Sequence, residues 1–294
     1  MRIADSTRYE AVKQGIQTAT LQQFKASQQA SSGLRVGAPS DDPVAAAQAL
    51  RNNGASARVE SYRATIRTVR GDAELAESTL AQAGDLIDRA KEIALQGANG
   101  SLNASERNDL ATEVDQLRQT MLALANQKGS QGYLFAGSKT DTQPFDATGA
   151  FVADDTDRQV EIGPNLVATV STSGAKAFTA AAGGRDILAD LDALKTALAN
   201  NDVSGVQATV NTLDTASRQL VAARVDAGLK AARLDASDTA HQETQTVLAN
   251  QLQSLVGVDP ATAYSRFVQA GQAVDQAVAV SKRMLDTLGN SRLG

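Results

Sequence analysis

The sequence contains no cysteine, no tryptophan and a single histidine among its 294 residues. Without cysteine there are no disulfides, thiolate metal ligands or thiol nucleophiles, and one imidazole leaves almost no room for histidine-based chemistry. Aromatic residues make up only 3 % of the chain, although 42 % of it is apolar, with alanine far ahead of any bulky type. Aromatic side chains bring the largest burial per residue, so this composition suits long helices with thin seams better than a thick globular core. Positive charge is not in surplus either. A formal net charge of −5 and a pI near 5.0 argue against nucleic acid as the main partner, because phosphate binding needs clustered cations. No stretch approaches the roughly 18 consecutive apolar residues of a membrane span, so membrane insertion is not expected. The segment from Met1 to Ser6 lacks the apolar run of a cleavable secretion signal. On that ground alone the chain reads as cytoplasmic, although an export route that ignores such signals leaves no trace of this kind.

What the sequence does have is helical periodicity. Tyr9, Val12, Ile16, Ala19, Gln23, Ala26 and Ala30 recur at alternating steps of three and four, the spacing of a coiled-coil-type seam. The run ends at Ser31-Ser32-Gly33, where glycine suits a helix C-terminus. Asp42-Pro43 then supplies an N-cap followed by proline at the first helical position. From there Val59, Tyr62, Ile66, Val69, Ala73, Ala76, Leu80, Ala83, Ile87, Ala90 and Ala94 keep the same spacing without a miss. A helix from Asp42 to Gln96 would be about 80 Å long, a length that suits a rod. Asn103 and Glu106 are spaced as a capping box opening a further seam through Leu110, Val114, Leu117, Met121 and Leu124. The short connection makes these two helices antiparallel neighbours.

Near Gln131 the period changes. Gly132-Tyr133-Leu134-Phe135-Ala136-Gly137 is a short apolar run, and Pro144-Phe145, Ala150–Val152, Gln159–Ile162 and Leu166–Val170 are strand-like pieces between Gly, Pro, Asn and Asp. The segment is acidic, with Asp141, Asp146, Asp154, Asp155, Asp157 and Glu161 outnumbering its cations. Helical spacing resumes at Asp186 (Ile187, Leu191, Leu194, Leu198), and a third long pattern runs from Val203 to Val256. Asp259-Pro260 repeats the cap-plus-proline start and opens a last seam through Tyr264, Phe267, Gly271, Val274, Val278, Ser281, Leu285 and Leu288. The expected fold class is mainly α with a β-rich insertion: an elongated bundle of long helices with terminal coiled-coil segments and a small outward β domain. The corresponding division is an N-terminal assembly helix over 1–40, a helical core in two halves (41–132 and 185–258), a β-rich domain over 133–184 and a C-terminal assembly helix over 259–294.

Both terminal seams contain small or polar residues, Gln23 in one and Gly271 and Ser281 in the other. Helices of this length with such seams are marginal in water. They are expected to be mobile in the lone subunit and to become helical on assembly, with burial between subunits offsetting the ordering cost. The spacing equally allows an intramolecular bundle. Residues 1–35 are mildly basic, but the apolar face has too few large residues to lie on a membrane.

Candidate chemistry is sparse. His241 lies in a helical pattern without a second histidine and reads as a plain helix-surface residue rather than a zinc ligand. Asp154-Asp155-Thr156-Asp157 lacks the glycine and terminal glutamate of a calcium loop and reads as a solvated turn. Gly183-Gly184-Arg185-Asp186 has no Lys-Ser/Thr for a phosphate loop and reads as a linker. The pair Asp41-Asp42 fits helix capping better than acid–base work. No catalytic residue, cofactor or metal site is expected.

Ser32-Gly33-Leu34-Arg35 followed by Asp41-Asp42-Pro43 and a long alanine-rich helix resembles the signature of the bacterial flagellin superfamily. The segment containing Gly132, Tyr133, Leu134, Phe135 and Gly137, followed by Pro144-Phe145, resembles the hook-associated proteins of the hook–filament junction. That resemblance implies a non-enzymatic structural subunit, exported unfolded through the flagellar type III channel to the extracellular flagellum. It implies self-association in a ring, with a neighbouring hook-associated protein on the hook side, flagellin on the filament side, and an export chaperone on the C-terminal region. Val12, Ile16, Ala19, Phe267, Val274, Val278, Leu285 and Leu288 would then pack the inner tube. Flagellin itself is the alternative within the superfamily, and a cytoplasmic helical scaffold is the alternative outside it.

Overall fold

The computed structural model describes residues 2–290. The chain forms two compact units, one of Met1–Arg58 with Thr244–Gly294 and one of Val59–Glu243. Two of its helices, α2 (Pro43–Gly97) and α6 (Val203–Val256), contribute residues to both.

The first unit adds α1 (Arg2–Ser32) and α7 (Pro260–Asn290) to the start of α2 and the end of α6. Helices α1 and α7 pack antiparallel. Gly271 lies against Gln23, and the segments that follow α1 and precede α7 join in an antiparallel bridge, Leu34 to Gly257. The inward stripe of α1 follows the predicted spacing over its middle, where Val12, Ile16 and Gln23 are half-buried and Ala19 and Ala26 are buried, but Tyr9 and Ala30 at the ends of the predicted seam are exposed. In α7 the stripe is Ala263, Phe267, Ala270, Val274, Ala277 and Ser281. This corrects the predicted seam at two positions. Tyr264 and Val278 turn out of it and are 66 % and 50 % exposed. The reason is that two registers one residue apart both satisfy the three-four spacing in a helix whose apolar residues are mostly alanine and valine. A partner helix selects the register that admits the smaller side chains.

The second unit builds its core on two further helices and a compact insertion. Helix α3 (Ala104–Ala125) begins with the predicted capping box: Asn103 accepts the Glu106 amide, and Glu106 accepts the Asn103 amide. Helix α5 (Ile187–Ala199) is capped by Asp186. Helices α2 and α6 run antiparallel, laced by the pairs Arg63–Asp238, Arg70–Asp235, Arg224–Glu77 and Lys91–Asp214. Arg118–Asp192 and Lys195–Asp115 fix α3 antiparallel to α5. Beneath these pairs lie Leu80, Ile87, Ile93, Val114, Met121, Leu191, Leu194, Val206 and Leu213. The stretch of α6 whose period is weak in sequence keeps its seam with alanine, through Ala227 and Ala231 to Leu234.

Sheet structure is sparser than the strand-like pieces suggest. Strands β1 (Lys128–Gly129) and β2 (Gly132–Tyr133) form one two-stranded antiparallel sheet, and β3 (Gln159–Gly163) and β4 (Leu166–Thr169) form another. The latter buries Ile162 and Ala168, with the following Val170, against Ile66, Val69 and Leu234. Pro144-Phe145 and Ala150–Val152 contribute only one isolated bridge, Phe145 to Phe151. There Asp146 draws the amides of Thr148 and Ala150 onto its carboxylate, and Gly149 takes φ +94°. A side chain that captures local amides competes with strand pairing. Helix α4 (Gly174–Phe178) and a single 3-10 turn (Ala181–Gly183) return the chain to α5.

Candidate assembly surface and motif knots

In the first unit the residues of the Ser32–Pro43 motif form a clasp. Gly33 ends α1 at φ +70°, its amide donating to Gln29 O at 3.0 Å. The chain then lies along the end of α6: the Arg35 amide donates to Val256 O at 2.7 Å, and the Val258 amide donates back to Gly33 O at 3.0 Å. Leu34, in the bridge to Gly257, is itself exposed. The Arg35 guanidinium donates to Leu255 O at 2.8 Å and pairs with Asp42 at 3.2 Å. Asp41 accepts the amides of Gly37 and Ala38, closing the loop, while Asp42 accepts the Ala45 amide and caps α2 at Pro43. Val36, Ala45, Ala49 and Val256 form a small core below. The motif therefore specifies how the segment after α1 is tied to α6 and α2, which is a positioning task.

Above that clasp, α1 and α7 offer a surface of small and aliphatic side chains. Val12, Ile16, Ala19, Phe267 and Val274 come together in the seam between the two helices, whereas Val278 does not. The side chains of Leu285 and Leu288 lie outside the described residues. Sequence reasoning passed over the residues with which this pair meets solvent: Leu21, Phe24, Val280 and Met284 are exposed. They fall outside the three-four repeat, so the spacing gives them no mark.

In the second unit the Gly132–Phe145 motif makes a second knot. Asn126, which ends α3, donates from Nδ2 to Phe145 O at 3.0 Å and accepts the Phe145 amide on Oδ1 at 2.9 Å. Following Pro144, Phe145 is thus pinned by a side-chain amide that mimics a strand partner. The Tyr133 amide donates to Thr140 O at 2.8 Å, and Lys128 Nζ sits 4.6 Å from the centre of the Tyr133 ring. The Leu134 amide donates to Gln127 O at 3.0 Å. Gly137 adopts φ +65°, and a Cβ there would collide with Asp154 O, so glycine is required on both counts. Phe135 and Phe145 are fully buried and meet Phe178 edge to face, with ring centres 5.2 and 5.7 Å away. Asp72 of α2 accepts the amide and hydroxyl of Ser130 at 2.7 and 2.8 Å, tying the loop before the motif to the bundle.

His241 corrects the reading of a plain surface histidine. It is half-buried, its Nε2 donates to Ile162 O at 2.6 Å, and its ring stacks on Tyr62 with centroids 5.8 Å apart. The β3–β4 hairpin packs over this part of α6, a contact between residues far apart in sequence that helical spacing could not reveal. Asp154 accepts the amide and hydroxyl of Thr156 and the hydroxyl of Ser138, a self-capped turn. Among the described residues no cluster of His, Cys, Asp or Glu could hold a metal ion.

Two structural residues had no sequence signal at all. Arg107, 3 % exposed, donates to the carbonyls of Gly97, Asn99 and Leu102 and to the side chain of Asn201. Gln219 donates from Nε2 to four carbonyls, those of Lys176, Ala177, Thr179 and Arg185, and accepts the Arg185 amide. Each resembles an ordinary polar helix residue in sequence, because its partners are backbone atoms of distant loops.

Several carboxyls in each unit are held below their usual range by hydrogen bonds. The Ala45 amide, followed by Arg35, holds the Asp42 carboxyl below the usual range, and the amide and hydroxyl of Thr262 do the same for Asp259. Hydrogen bonds from Arg63, Lys195 and Lys91 lower Asp238, Asp115 and Asp214. A carboxyl depressed in the folded state contributes stability that is complete above its unfolded pKa and is lost as pH falls through the folded value. Helicity in moderate urea is therefore expected to be flat between about pH 7 and 5 and to fall below about pH 4. Circular dichroism checks this, and helicity unchanged down to about pH 3 would show that these contacts carry no net stability.

Residues 3–140 match the family model of the bacterial flagellin N-terminal helical region. The chain is 28 % identical over 297 residues to flagellar hook-associated protein 3 of Salmonella typhimurium, covering 93 % of this chain and 94 % of that protein. Hook-associated protein 3 of Escherichia coli aligns equally, at 28 % identity over 299 residues with the same coverage. A solved structure from Vibrio parahaemolyticus, described as a flagellar hook-associated protein, shares the fold. Its TM-score is 0.67 at 24 % identity, covering 74 % of this chain and 100 % of that one.

Proposed function

We infer that this chain, a flagellin-superfamily protein of the hook-associated protein 3 type, is a structural subunit of the bacterial flagellum at the junction between hook and filament. The observation that carries the mechanism is the weakness of the α1–α7 pair. Apart from Ile16 and Phe267 its seam is built from alanine, valine, glutamine and serine, and it leaves Leu21, Phe24, Tyr264, Val268, Val278 and Val280 exposed. Apolar side chains left on two helices that bury little against each other are completed by neighbouring copies. The helices of 1–40 and 259–294 are the assembly segments, mobile before incorporation and ordered by it. Residues 41–132 and 185–258 are the two halves of the core, and the acidic 133–184 segment faces outward.

A ring of copies then presents one lattice to a hook-associated protein on the hook side and another to flagellin on the filament side. The subunit reaches that position by unfolded export through the flagellar channel, which accords with a chain free of disulfides. An export chaperone covers the apolar C-terminal seam until then. No reaction is assigned to the chain, and its work is mechanical.

Immunogold labelling of isolated flagella is the direct test. Label confined to the hook–filament boundary is the expected result. Label along the whole filament would instead make the chain a flagellin, and retention in the cell body would leave only the cytoplasmic scaffold.

A further inference from the structure

We propose that Asn99 is a site of spontaneous covalent ageing, converting through a cyclic imide to aspartate and isoaspartate in the loop between α2 and α3. The chain contains two Asn-Gly pairs, Asn53-Gly54 and Asn99-Gly100, and both asparagines are exposed. Their backbones differ. Asn53-Gly54 lies inside α2, where each amide is bonded to the carbonyl four residues back and the dihedrals are held. Asn99-Gly100 lies in the turn after that helix, outside every helix and strand. There the Gly100 amide belongs to no helical ladder, so closure onto the preceding side chain does not require a helix to open.

The side-chain carbonyl of Asn99 is also prepared for attack. Its Oδ1 accepts the Ser101 amide at 3.1 Å and the Ser101 hydroxyl at 3.0 Å. Two donors aimed at that oxygen stabilise the negative charge it acquires when a nucleophile adds to Cγ. In the reaction, base removes the Gly100 amide proton and the nitrogen attacks Asn99 Cγ. The new C–N bond closes a five-membered imide, the Cγ–Nδ2 bond breaks, and Nδ2 leaves as ammonia with a proton from solvent. Water then adds to either imide carbonyl. Opening at one regenerates the normal backbone with aspartate at 99, and opening at the other routes the backbone through the side chain as isoaspartate.

The site has a structural readout besides mass. Asn99 O accepts the Arg107 guanidinium at 2.7 Å, in the same bonding set that anchors Gly97 O and Leu102 O. An extra methylene in the backbone at 99 displaces that carbonyl, so the isoaspartyl form should unfold at lower temperature than the parent.

The experiment incubates the full-length folded protein at mildly alkaline pH and follows the tryptic peptides ending at Arg58 and Arg107. Amide-to-acid conversion and isoaspartate are read by mass spectrometry and chromatography. Reaction at Asn99 is expected to outpace that at Asn53 by about tenfold or more, because the helical site must first open locally. In strong denaturant the two pairs should react alike. Gly100→Ala tests the nucleophile: a Cβ there meets nothing within 4 Å, so the variant should fold, and its Asn99 should react far more slowly. Equal rates at the two sites in the folded protein would overturn the proposal, as would a Gly100→Ala variant ageing as fast as the parent.

Discussion

A Val278→Asp variant should fold and melt like the parent yet fail to enter the flagellum. Val278 is 50 % exposed on α7 and turns out of the α1–α7 seam, so the substitution leaves the intrachain pair and the core of the second unit untouched. In the assembled ring the same side chain is buried against a neighbouring copy on the function proposed above. Losing the burial of one valine and desolvating a carboxylate instead cost about 3 kcal/mol per contact, more than a hundredfold in affinity. The loss repeats at every copy in a closed ring. Motility and immunogold counts at the junction measure it, with Val278→Ile as the conservative control. Normal incorporation of the aspartate variant would remove Val278 from the assembly surface. Phe267→Asp makes an informative contrast. Phe267 is half-buried in the seam itself, so that change should also loosen the first unit in isolation.

The largest effect on stability is expected at Phe178. Its fully buried ring meets Phe135 and Phe145, the two phenylalanines of the Gly132–Phe145 motif, and Phe145 extends the cluster to Phe151 at 5.3 Å. In a chain with so few aromatics, this cluster is the aromatic part of what joins the insertion to the helical core, beside the β3–β4 packing on Ile66, Val69 and Leu234. Phe178→Ala removes the ring and leaves a cavity that the edge-to-face neighbours fill only partly. The expected cost is about 3–5 kcal/mol, a large fraction of the roughly 5–15 kcal/mol that holds a typical domain. Urea unfolding followed by circular dichroism should show a lower midpoint with an unchanged slope. A loss below about 1 kcal/mol would mean that the cluster relaxes around the gap and that the motif is not a packing device.

Local signals in the chain located most of the helical frame. Asp42-Pro43 and Asp259-Pro260 stand at the starts of α2 and α7, and Asn103 with Glu106 forms the capping box expected of them. The third long pattern coincides with α6, because caps and three-four spacing act within a few residues of where they are read. The seam residues of α2 from Ile66 to Ala94 are all buried as spaced. Resemblance singled out both motifs, but what they do became visible only with the fold: one clasps the end of α6 through Arg35, the other closes on Phe178 from the far side of the insertion.

What the sequence by itself determined, then, is where the long helices α2, α3, α5 and α6 run, which face of α2 is buried, and which chemistry the chain lacks. The tertiary structure alone decided the register of α7 against α1, the place of His241 beneath a hairpin, and the roles of Arg107 and Gln219 as anchors for distant carbonyls. The division follows from range. Caps and periodicity are interactions between near neighbours and leave a pattern in the order of residues, whereas a side chain bonded to a remote backbone carbonyl leaves none, since every residue carries the same carbonyl.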